Sequence, residues 1–354
     1  MSLTDLSYYV RKFMPFALFS FVVLLIFYFS IQLLFLFLST NQPKVVYNTA
    51  FKQLKPLFLK KEATTSAGFT FKLDTVDGQP MVASEAARVF LLPPSKFQFD
   101  YLSKIYVMAK VFGFDTETVK HKLENNEAIF QDARQLLAID INTYNFRYKY
   151  DFKKDGALVE TAVTPDSDEA KNTAINFLKS VDRYPNDFAL GDITFTHMFY
   201  DRIASTAGVV TDPQESNMIE VDFWRQKIDS YLPMSPTYFT SQNYVTLMSG
   251  EGGMRIVSAQ VKFFETSPTQ IGVYPLISGQ RAYEKLLAGQ GILVYPGSGK
   301  KNKSIKTMSL GYFDPDTYQD YLQPIYIFGG GRDDDFIFYV PAVSENWLID
   351  ESKL

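Results

Sequence analysis

The sequence predicts an α+β protein that is held to a membrane by one amino-terminal helix. The first observation is an apolar run over residues 13–38 that contains no charged residue. The second is the order of elements after it, in which single amphipathic helices alternate with several strands joined by short turns. That order favours antiparallel sheets over a doubly wound parallel sheet, because the helices are too few for repeated βαβ units.

The apolar run has the length and composition of a transmembrane helix. At about 1.5 Å per residue it reaches roughly 39 Å, against roughly 30 Å of hydrocarbon, so it can cross a bilayer with some tilt. Apart from its aromatic residues, its polar side chains are Ser20, Ser30 and Gln32. The amide of Gln32 either lies solvated near the outer interface or bonds to a partner helix within the membrane.

Two other uses of such a run compete with an anchor. A cleaved signal peptide has a shorter apolar core and a small-x-small cleavage site, whereas this run is followed by Ser-Thr-Asn-Gln-Pro at residues 39–43. A pilin-like amino terminus requires a processing glycine and an acidic residue within the run, and neither is present. We therefore predict a retained anchor.

Basic residues favour a cytoplasmic amino terminus. Arg11 and Lys12 abut the run, although Lys44, Lys52 and Lys55 follow it within about 20 residues and nearly balance them. A long domain can be exported irrespective of its own charge, so we expect the body to be extracytoplasmic. The predicted segments are a cytoplasmic tail at 1–12, the anchor at 13–39, a stalk at 40–65, a first α+β domain at 66–164 and a second at 165–354.

Composition excludes several classes of function. The chain has no cysteine, and therefore no disulfide, no thiolate nucleophile and no cysteine-ligated metal. Its net charge of −4 gives no electrostatic footprint for nucleic acid. Aromatic residues make up 16% of the chain, which predicts aromatic-rich strands beyond those of the anchor. We expect no cofactor.

The first domain is expected to hold one helix and short strands. Phe97, Tyr101, Ile105, Met108 and Phe112 recur at the helical spacings of three and four, and Gly113 follows as a helix stop. Strands are predicted at 69–73, 89–92, 136–150 and 158–163.

The second domain begins with a helix for which Ser167 is the predicted N-cap. The apolar stripe of that helix is Ala170, Ala174, Phe177, Leu178 and Val181. A further helix is predicted at 279–288. Strands are predicted at 218–224, 244–248, 254–264, 307–313, 321–328 and 335–343, with a hairpin turn at 250–253.

Short motifs in residues 165–345 resemble the carboxy-terminal module of YycI/YycH-like membrane-anchored proteins, with a PepSY-type unit at its start. The motifs are Pro165, Ser167, Glu169 and Ala170, then Val221, Phe223 and Arg225, the helix 280–286 with Gly289, Gly311 with Tyr312, and residues 321–326. The resemblance implies PepSY/YycI-like repeats, each an antiparallel sheet packed with an amphipathic helix. It further implies a non-enzymatic regulator of another membrane protein, such as a sensor kinase, and no catalytic residue.

A glycine- and lysine-rich stretch is superficially similar to a phosphate loop. It contains Gly297, Ser298, Gly299 and Lys300, but Val294 and Lys301 stand where that motif requires Gly and Ser or Thr. We therefore expect a solvated hairpin loop. Its lysines could alternatively touch an anionic envelope polymer or lipid, and they are Lys300, Lys301, Lys303 and Lys306.

Two acidic segments are candidates for calcium-binding loops. Residues 329–335 read Gly-Gly-Gly-Arg-Asp-Asp-Asp and lack the alternating ligands and distal Glu of a calcium loop, so a flexible polar turn is preferred. The segment with Asp314, Asp316 and Asp320 is interpreted in the same way. We expect no metal site.

Both histidines are expected to be structural. His121 lies in a charged stretch and His197 in an apolar one, and neither has a metal-ligand partner at the spacing of a zinc motif. A Ser–His–acid site dispersed along the chain remains an alternative.

These observations leave three functions open. The first is a membrane-anchored, extracytoplasmic protein with a regulatory or protein-binding role in the cell envelope. The second is an envelope module that binds peptide or glycan in an aromatic groove. The third is an envelope hydrolase with a dispersed site.

Overall fold

The computed structural model describes residues 3–38, 46–57, 64–95, 99–332 and 334–349. The chain divides into two compact units, Met1–Val46 and Tyr47–Leu354. The helices are α1 (Leu3–Leu38), α2 (Tyr101–Val111), α3 (Gly156–Glu160), α4 (Ser167–Ser180), α5 (Asn186–Leu190) and α6 (Gly279–Leu287). The strands are β1 (Thr70–Leu73), β2 (Ala86–Leu91), β3 (Lys122–Glu124), β4 (Glu127–Gln131), β5 (Gln135–Asp140), β6 (Phe146–Tyr150), β7 (Ile193–Asp201), β8 (Thr206–Val209), β9 (Met218–Phe223), β10 (Pro233–Met234), β11 (Tyr244–Gly250), β12 (Gly253–Val261), β13 (Ile271–Pro275), β14 (Ile292–Tyr295), β15 (Asn302–Ile305), β16 (Thr307–Phe313), β17 (Tyr321–Gly331) and β18 (Asp334–Pro341).

The amino-terminal unit consists of the long helix α1. Its segment Phe13–Leu34 is long and apolar enough to cross a membrane. The helix begins at Leu3, so most of the predicted tail is helical rather than extended. Within the helix, the Gln32 amide Nε2 donates to the Tyr28 hydroxyl at 3.4 Å, one helical turn earlier. The predicted stalk lies partly outside the described residues, at 40–45 and 58–63.

The larger unit contains an antiparallel sheet of nine strands. Their order is β3-β4-β5-β6-β12-β11-β9-β7-β8, so β6 and β12 lie side by side at its centre. In that pairing Phe146 lies opposite Val261, and Tyr148 lies opposite Ala259. Strands from both sides of the predicted boundary at residues 164 and 165 therefore hydrogen-bond within one sheet.

Helices α2 and α4 cover one face of the nine-stranded sheet. Strand β6 alternates buried aromatic residues with exposed basic ones, which is the pattern of a strand with one face in the core. The Phe112 ring, just after α2, lies 5.2 Å from the ring of Phe146 and 5.1 Å from that of Phe177 on α4. Helix α2 ends in a Schellman motif in which Gly113 has a φ of 87°. The predicted start of this helix at Phe97 lies outside the described residues.

The second large sheet has seven strands. Its main path is β10-β16-β17-β18-β14, and β2 joins it by pairing with β17 and β13. Helix α6 packs against it through Ala282 and Leu286, which share a core with Phe328 and Phe338. In this sheet β10 pairs with β16 in parallel, and β1 and β15 form a separate parallel sheet of two strands. The sequence predicted antiparallel strands throughout.

Several predicted elements differ in the structure. The predicted strand 136–150 is a hairpin of β5 and β6, because the Asp140 carboxylate accepts the backbone N–H groups of Asn142 and Thr143 and closes a turn between them. The predicted strand 158–163 is wrong: α3 occupies Gly156–Glu160, and the Asp155 carboxylate caps it by accepting the Leu158 N–H at 3.3 Å.

The N-cap of α4 lies one residue earlier than predicted. The Asp166 carboxylate accepts the Glu169 N–H at 2.8 Å, whereas Ser167 is the first helical residue. The predicted stripe is confirmed, since Ala170, Ala174 and Leu178 are buried. The mixed α and β class is confirmed as well, while PepSY/YycI-like repeats stay a prediction.

Candidate functional site

The glycine- and lysine-rich segment is a turn between two sheets. Gly297 and Gly299 have φ angles of 58° and 74°. The turn connects β14, which pairs with β18, to β15, which pairs with β1, so the predicted hairpin is wrong. A phosphate loop delivers its ligand to a helix N-terminus, whereas this turn leads into a strand.

Lys303 is buried, although the sequence grouped it with the exposed lysines of this segment. Its ammonium lies 2.9 Å from the Asp334 carboxylate and donates to the Pro296 carbonyl at 2.8 Å. The other three, Lys300, Lys301 and Lys306, are exposed. Lys303 is therefore not available to a polymer or lipid.

The acidic segment 329–335 closes the hairpin of β17 and β18, and its Asp333 lies outside the described residues. The Asp334 carboxylate accepts the Ser298 N–H at 2.8 Å in addition to the Lys303 ammonium. Burial would raise the pKa of Asp334, but these hydrogen bonds outweigh it, and the pKa is lowered. A carboxylate already neutralised by a lysine is a poor calcium ligand.

The aspartates near residue 314 also have cationic partners. Asp314 is buried and lies 3.2 Å from Arg225. Asp316 lies 3.7 Å from Lys262, and Asp320 lies 2.6 Å from Lys55. The predicted flexible turn is wrong for Asp314, which the fold holds in place.

Arg225 ties the two large sheets together. It follows β9 of the nine-stranded sheet, and its partner Asp314 follows β16 of the seven-stranded sheet. The guanidinium also lies 3.1 Å from Asp187 and donates to the Phe264 carbonyl at 2.6 Å. Burial raises the pKa of Asp314, and the charge of Arg225 opposes that shift. This network is fully partnered, so we assign it to the fold rather than to a site.

Both histidines are half-buried and each lies near a hydroxyl group. His121 lies 3.2 Å from the Tyr106 hydroxyl. His197 Nδ1 lies 3.3 Å from the Ser216 hydroxyl oxygen. That hydroxyl donates a hydrogen bond to the Pro213 carbonyl at 2.6 Å. Because Ser216 is buried and its proton points away from His197, the pair lacks the geometry of a nucleophile and its base.

Glu220 and Asp222 form an acidic pair on one face of β9. Burial is the main cause that raises the pKa of Asp222 to about 7, and the charge of Glu220 adds to it. The Thr246 hydroxyl donates to Glu220 at 2.9 Å, and the Ser241 N–H donates to Asp222 at 2.8 Å. Across the described residues, no three His, Asp or Glu side chains lie close enough to hold a metal ion.

A cleft of about 430 Å³ is the strongest candidate for a binding site. Its lining comes from the β5–β6 turn, the segment after α4, the segment after β12, residues 93–95 and Lys104 of α2. The volume lies within the range of small-molecule and peptide pockets. Its apolar wall includes Pro93, Pro94, Pro185, Tyr184 and Phe264.

Two local turns place polar and aromatic groups in this cleft. A Schellman motif ends α4, with Asp182 at a φ of 55°, and brings Arg183 into the lining. Tyr144 has a φ of 56°, which is unusual for a bulky residue and costs on the order of 1 kcal/mol or more. The Lys104 ammonium lies 4.3 Å from the Tyr144 ring and 3.0 Å from the Asp182 carboxylate.

The chain has a distant similarity to a solved structure. No family profile matches the chain, and no curated protein matches it. Among solved structures, the chain is similar to YycH from Bacillus subtilis, with 11% sequence identity and a TM-score of 0.33. The match covers 73% of this chain and 53% of YycH, so the chain spans about half the length of that protein.

Sequence reasoning missed the cleft and the buried ionic groups. Arg183 follows a helix end in the stretch Asp-Arg-Tyr-Pro, which looks like an ordinary exposed turn. Arg225 stands out in the sequence only as part of a strand motif. Neither arginine has a local pattern that marks a cation withdrawn from solvent, because the hydrogen-bond partners come from residues far along the chain.

Proposed function

We propose that this protein is a single-pass, membrane-anchored protein whose body binds another protein outside the cytoplasm and thereby regulates it. Residues 1–12 face the cytoplasm in this proposal, and the protein is not an enzyme and uses no cofactor. The observation that carries it is the apolar segment Phe13–Leu34, whose large described side chains are exposed. An exposed apolar helix of this length is stable in lipid and costly in water.

The proposed partner is another membrane protein, such as a sensor kinase. This identity comes from the YycI/YycH-like motifs of the sequence. The anchor offers a polar contact for such a partner, because Gln32 and Tyr28 lie on one side of the helix and donate and accept hydrogen bonds. In lipid, the remaining donor and acceptor of the Gln32 side-chain amide would be stabilised by hydrogen bonds to a second helix.

Protease protection tests the topology. Protease added to intact cells, with any outer layer permeabilised, should digest the body and leave the anchor with its amino tail. A known exported domain and a known cytoplasmic domain are the controls. Full protection of residues 66–354 beside a digested exported control would overturn the proposal.

Photo-crosslinking tests the partner. A photoreactive residue at Gln32 should capture a specific membrane protein, whereas one at Ser30, about 200° around the helix, should capture little. Exchange of the anchor for an unrelated apolar helix should reduce function more than deletion of the exposed Lys300 and Lys301 turn. Equal function after the exchange would move the contacts from the helix to the body.

A second candidate function is the binding of a small ligand by the body, which the aromatic and proline-lined cleft favours. The third function, hydrolysis, gains no support from the pair Ser216 and His197, because the Ser216 hydroxyl donates its hydrogen bond to the Pro213 carbonyl and not to the histidine.

A further inference from the structure

Arg183 is a half-buried cation whose hydrogen-bond acceptors are neutral. Its guanidinium donates to the Asn145 side-chain oxygen at 2.6 Å and to the Phe263 carbonyl at 3.5 Å. Its Nε is buried and has no hydrogen-bond partner among the described residues. A half-buried charge that is hydrogen-bonded only to neutral groups is incompletely compensated, so the site gains from an added anion.

The nearby carboxylates act on Arg183 only at a distance. Asp182 pairs with Lys104 at 3.0 Å, and within the described chain the hydrogen bonds of Arg183 go to Asn145 and Phe263 rather than to Asp182 or Glu265. Burial lowers the pKa of Arg183, and the charges of Glu265 and Asp182 only oppose that shift. Glu265 is exposed at the lining of the cleft. Its charge at the lining would also repel an incoming anion.

Several residues in the otherwise mostly polar lining of the cleft could contact the apolar side chains of a short peptide. Tyr184 and Phe264 offer flat apolar surface, and the prolines Pro93, Pro94 and Pro185 add rigid apolar contacts that lose little entropy on binding. Arginine is the side chain that best matches the planar geometry of a carboxylate. The strained backbone of Tyr144 beside Arg183 is of a kind that clusters at ligand sites.

We propose that this cleft binds a short peptide through a carboxylate held by Arg183, with the peptide's apolar side chains against Tyr184 and Phe264. This inference deepens the ligand-binding candidate above. It does not depend on the anchor or on the proposed membrane partner. A neutral glycan lacks the carboxylate and is the excluded alternative.

The test uses the full-length protein in detergent micelles and a pool of fluorescent, N-blocked apolar tripeptides. One pool ends in a free carboxylate, the second in an amide, and a third is amidated but carries one Glu side chain. We expect the free acids to bind saturably at or below about 1 mM and the amides at least about tenfold more weakly. The third pool separates a terminal carboxylate from a side-chain carboxylate, and binding of either class supports the proposal.

Three variants assign the binding to the cleft. Arg183→Gln should weaken binding of the free acids at least about tenfold, and Glu265→Gln should strengthen it severalfold because a repelling charge is removed. Arg147→Gln, at an exposed position of β6, is the control and should change nothing. Glu265→Gln keeps the test valid if Arg183→Gln fails to fold, since Glu265 is exposed.

Three outcomes would overturn the proposal. The first is equal binding of acids and amides, and the second is an unchanged affinity in Glu265→Gln. The third is absence of saturable binding while neutral oligosaccharides bind, which would favour a glycan site. Because no membrane partner is present in this assay, its failure is distinct from a failure of the topology or crosslinking experiments.

Discussion

Lys303 and Asp334 form an ion pair in which the lysine side chain is fully buried. The two charged groups are 2.9 Å apart, and the exposed fractions of the side chains are 0% and 15%. The Phe336 ring centroid lies 5.0 Å from the ammonium. This pair joins β15, in a small two-stranded sheet, to the first residue of β18 in the seven-stranded sheet.

Removal of one member of this pair should destabilise the fold strongly. Lys303→Met leaves Asp334 without its main cation, and breaking a buried pair in this way costs about 3–5 kcal/mol. Urea unfolding of the protein in micelles, followed by Trp fluorescence, measures the loss. Lys301→Met is the matched control because Lys301 is exposed. Equal losses in the two variants would show that the pair is solvated.

Removal of metal should have little effect on stability. The carboxylates of Asp334, Asp314 and Asp320 each have a cationic partner, so they are not open calcium ligands. We expect a chelator to shift the melting temperature by less than about 2 °C, which corresponds to no more than roughly 1 kcal/mol for a body of this size. A large loss that calcium restores would make residues 329–335 a metal site.

The periodic parts of the fold could be predicted from the sequence. The stripe of α4 and the strands β16, β17 and β18 follow from the helical and alternating spacing of their apolar residues. The strand β7 has no such signal, because only Tyr200 among its nine residues is buried. The strand β3 is exposed throughout. These strands form through sheet pairing, which local pattern does not encode.

The candidate site could not be predicted from the sequence for a related reason. Lys303 looks like its exposed neighbours, and its burial depends on Asp334, which lies 31 residues away. The lining of the cleft comes from five separate parts of the chain. The two-domain prediction, 66–164 and 165–354, rested on the order of elements along the chain. It could not anticipate that β6 would pair with β12.

The pH dependence of stability should reveal Asp222. Burial raises its pKa to about 7, above the value near 3.9 of an unfolded chain. The folded state therefore binds more protons between about pH 4 and pH 7, and the free energy of unfolding falls as pH rises through that window. Asp222→Asn should reduce this slope and stabilise the protein at pH 8, by an amount on the order of a few kcal/mol.

Glu220 limits the size of that effect. Burial raises the pKa of Glu220 as well, so part of the slope should persist in Asp222→Asn. Glu251→Gln, in the exposed β11–β12 turn, is the control and should retain the full slope. The measurement is the midpoint of urea unfolding at intervals from pH 4 to pH 8. A wild-type midpoint that rises across this range would contradict the assignment.

The start of α4 provides a matched pair of substitutions. Asp166 is the N-cap by its bond to the Glu169 N–H, whereas Ser167 is the first helical residue. Asp166→Ala should cost about 1 kcal/mol, and Ser167→Ala should cost only a few tenths, because alanine is well tolerated within a helix. Thermal unfolding of both variants gives the comparison. The reverse order would restore Ser167 as the cap, as the sequence alone predicts.

The final prediction concerns Gly279, where the start of α6 meets a distant part of the chain. A Cβ atom at Gly279 would lie 2.1 Å from the Met81 carbonyl oxygen, a backbone atom that cannot move aside cheaply. Gly279→Ala should therefore force apart α6 and the segment before β2, and it should cost roughly 1–3 kcal/mol, as overpacking does. Gly252→Ala is the control, since a Cβ there would meet nothing within 4 Å.

Unfolding of the two variants under identical conditions measures the difference. Because Met81 precedes residue 164 and Gly279 follows it, the loss in Gly279→Ala reports on packing between the two predicted domains. If residues 66–164 fold independently of the rest, Gly279→Ala should loosen the packing between the two parts, and unfolding should then occur in two steps. A single transition at a lower midpoint is the result that we expect, because β2 pairs with both β13 and β17 and couples the segments. A stability equal to that of Gly252→Ala would contradict the close backbone contact itself.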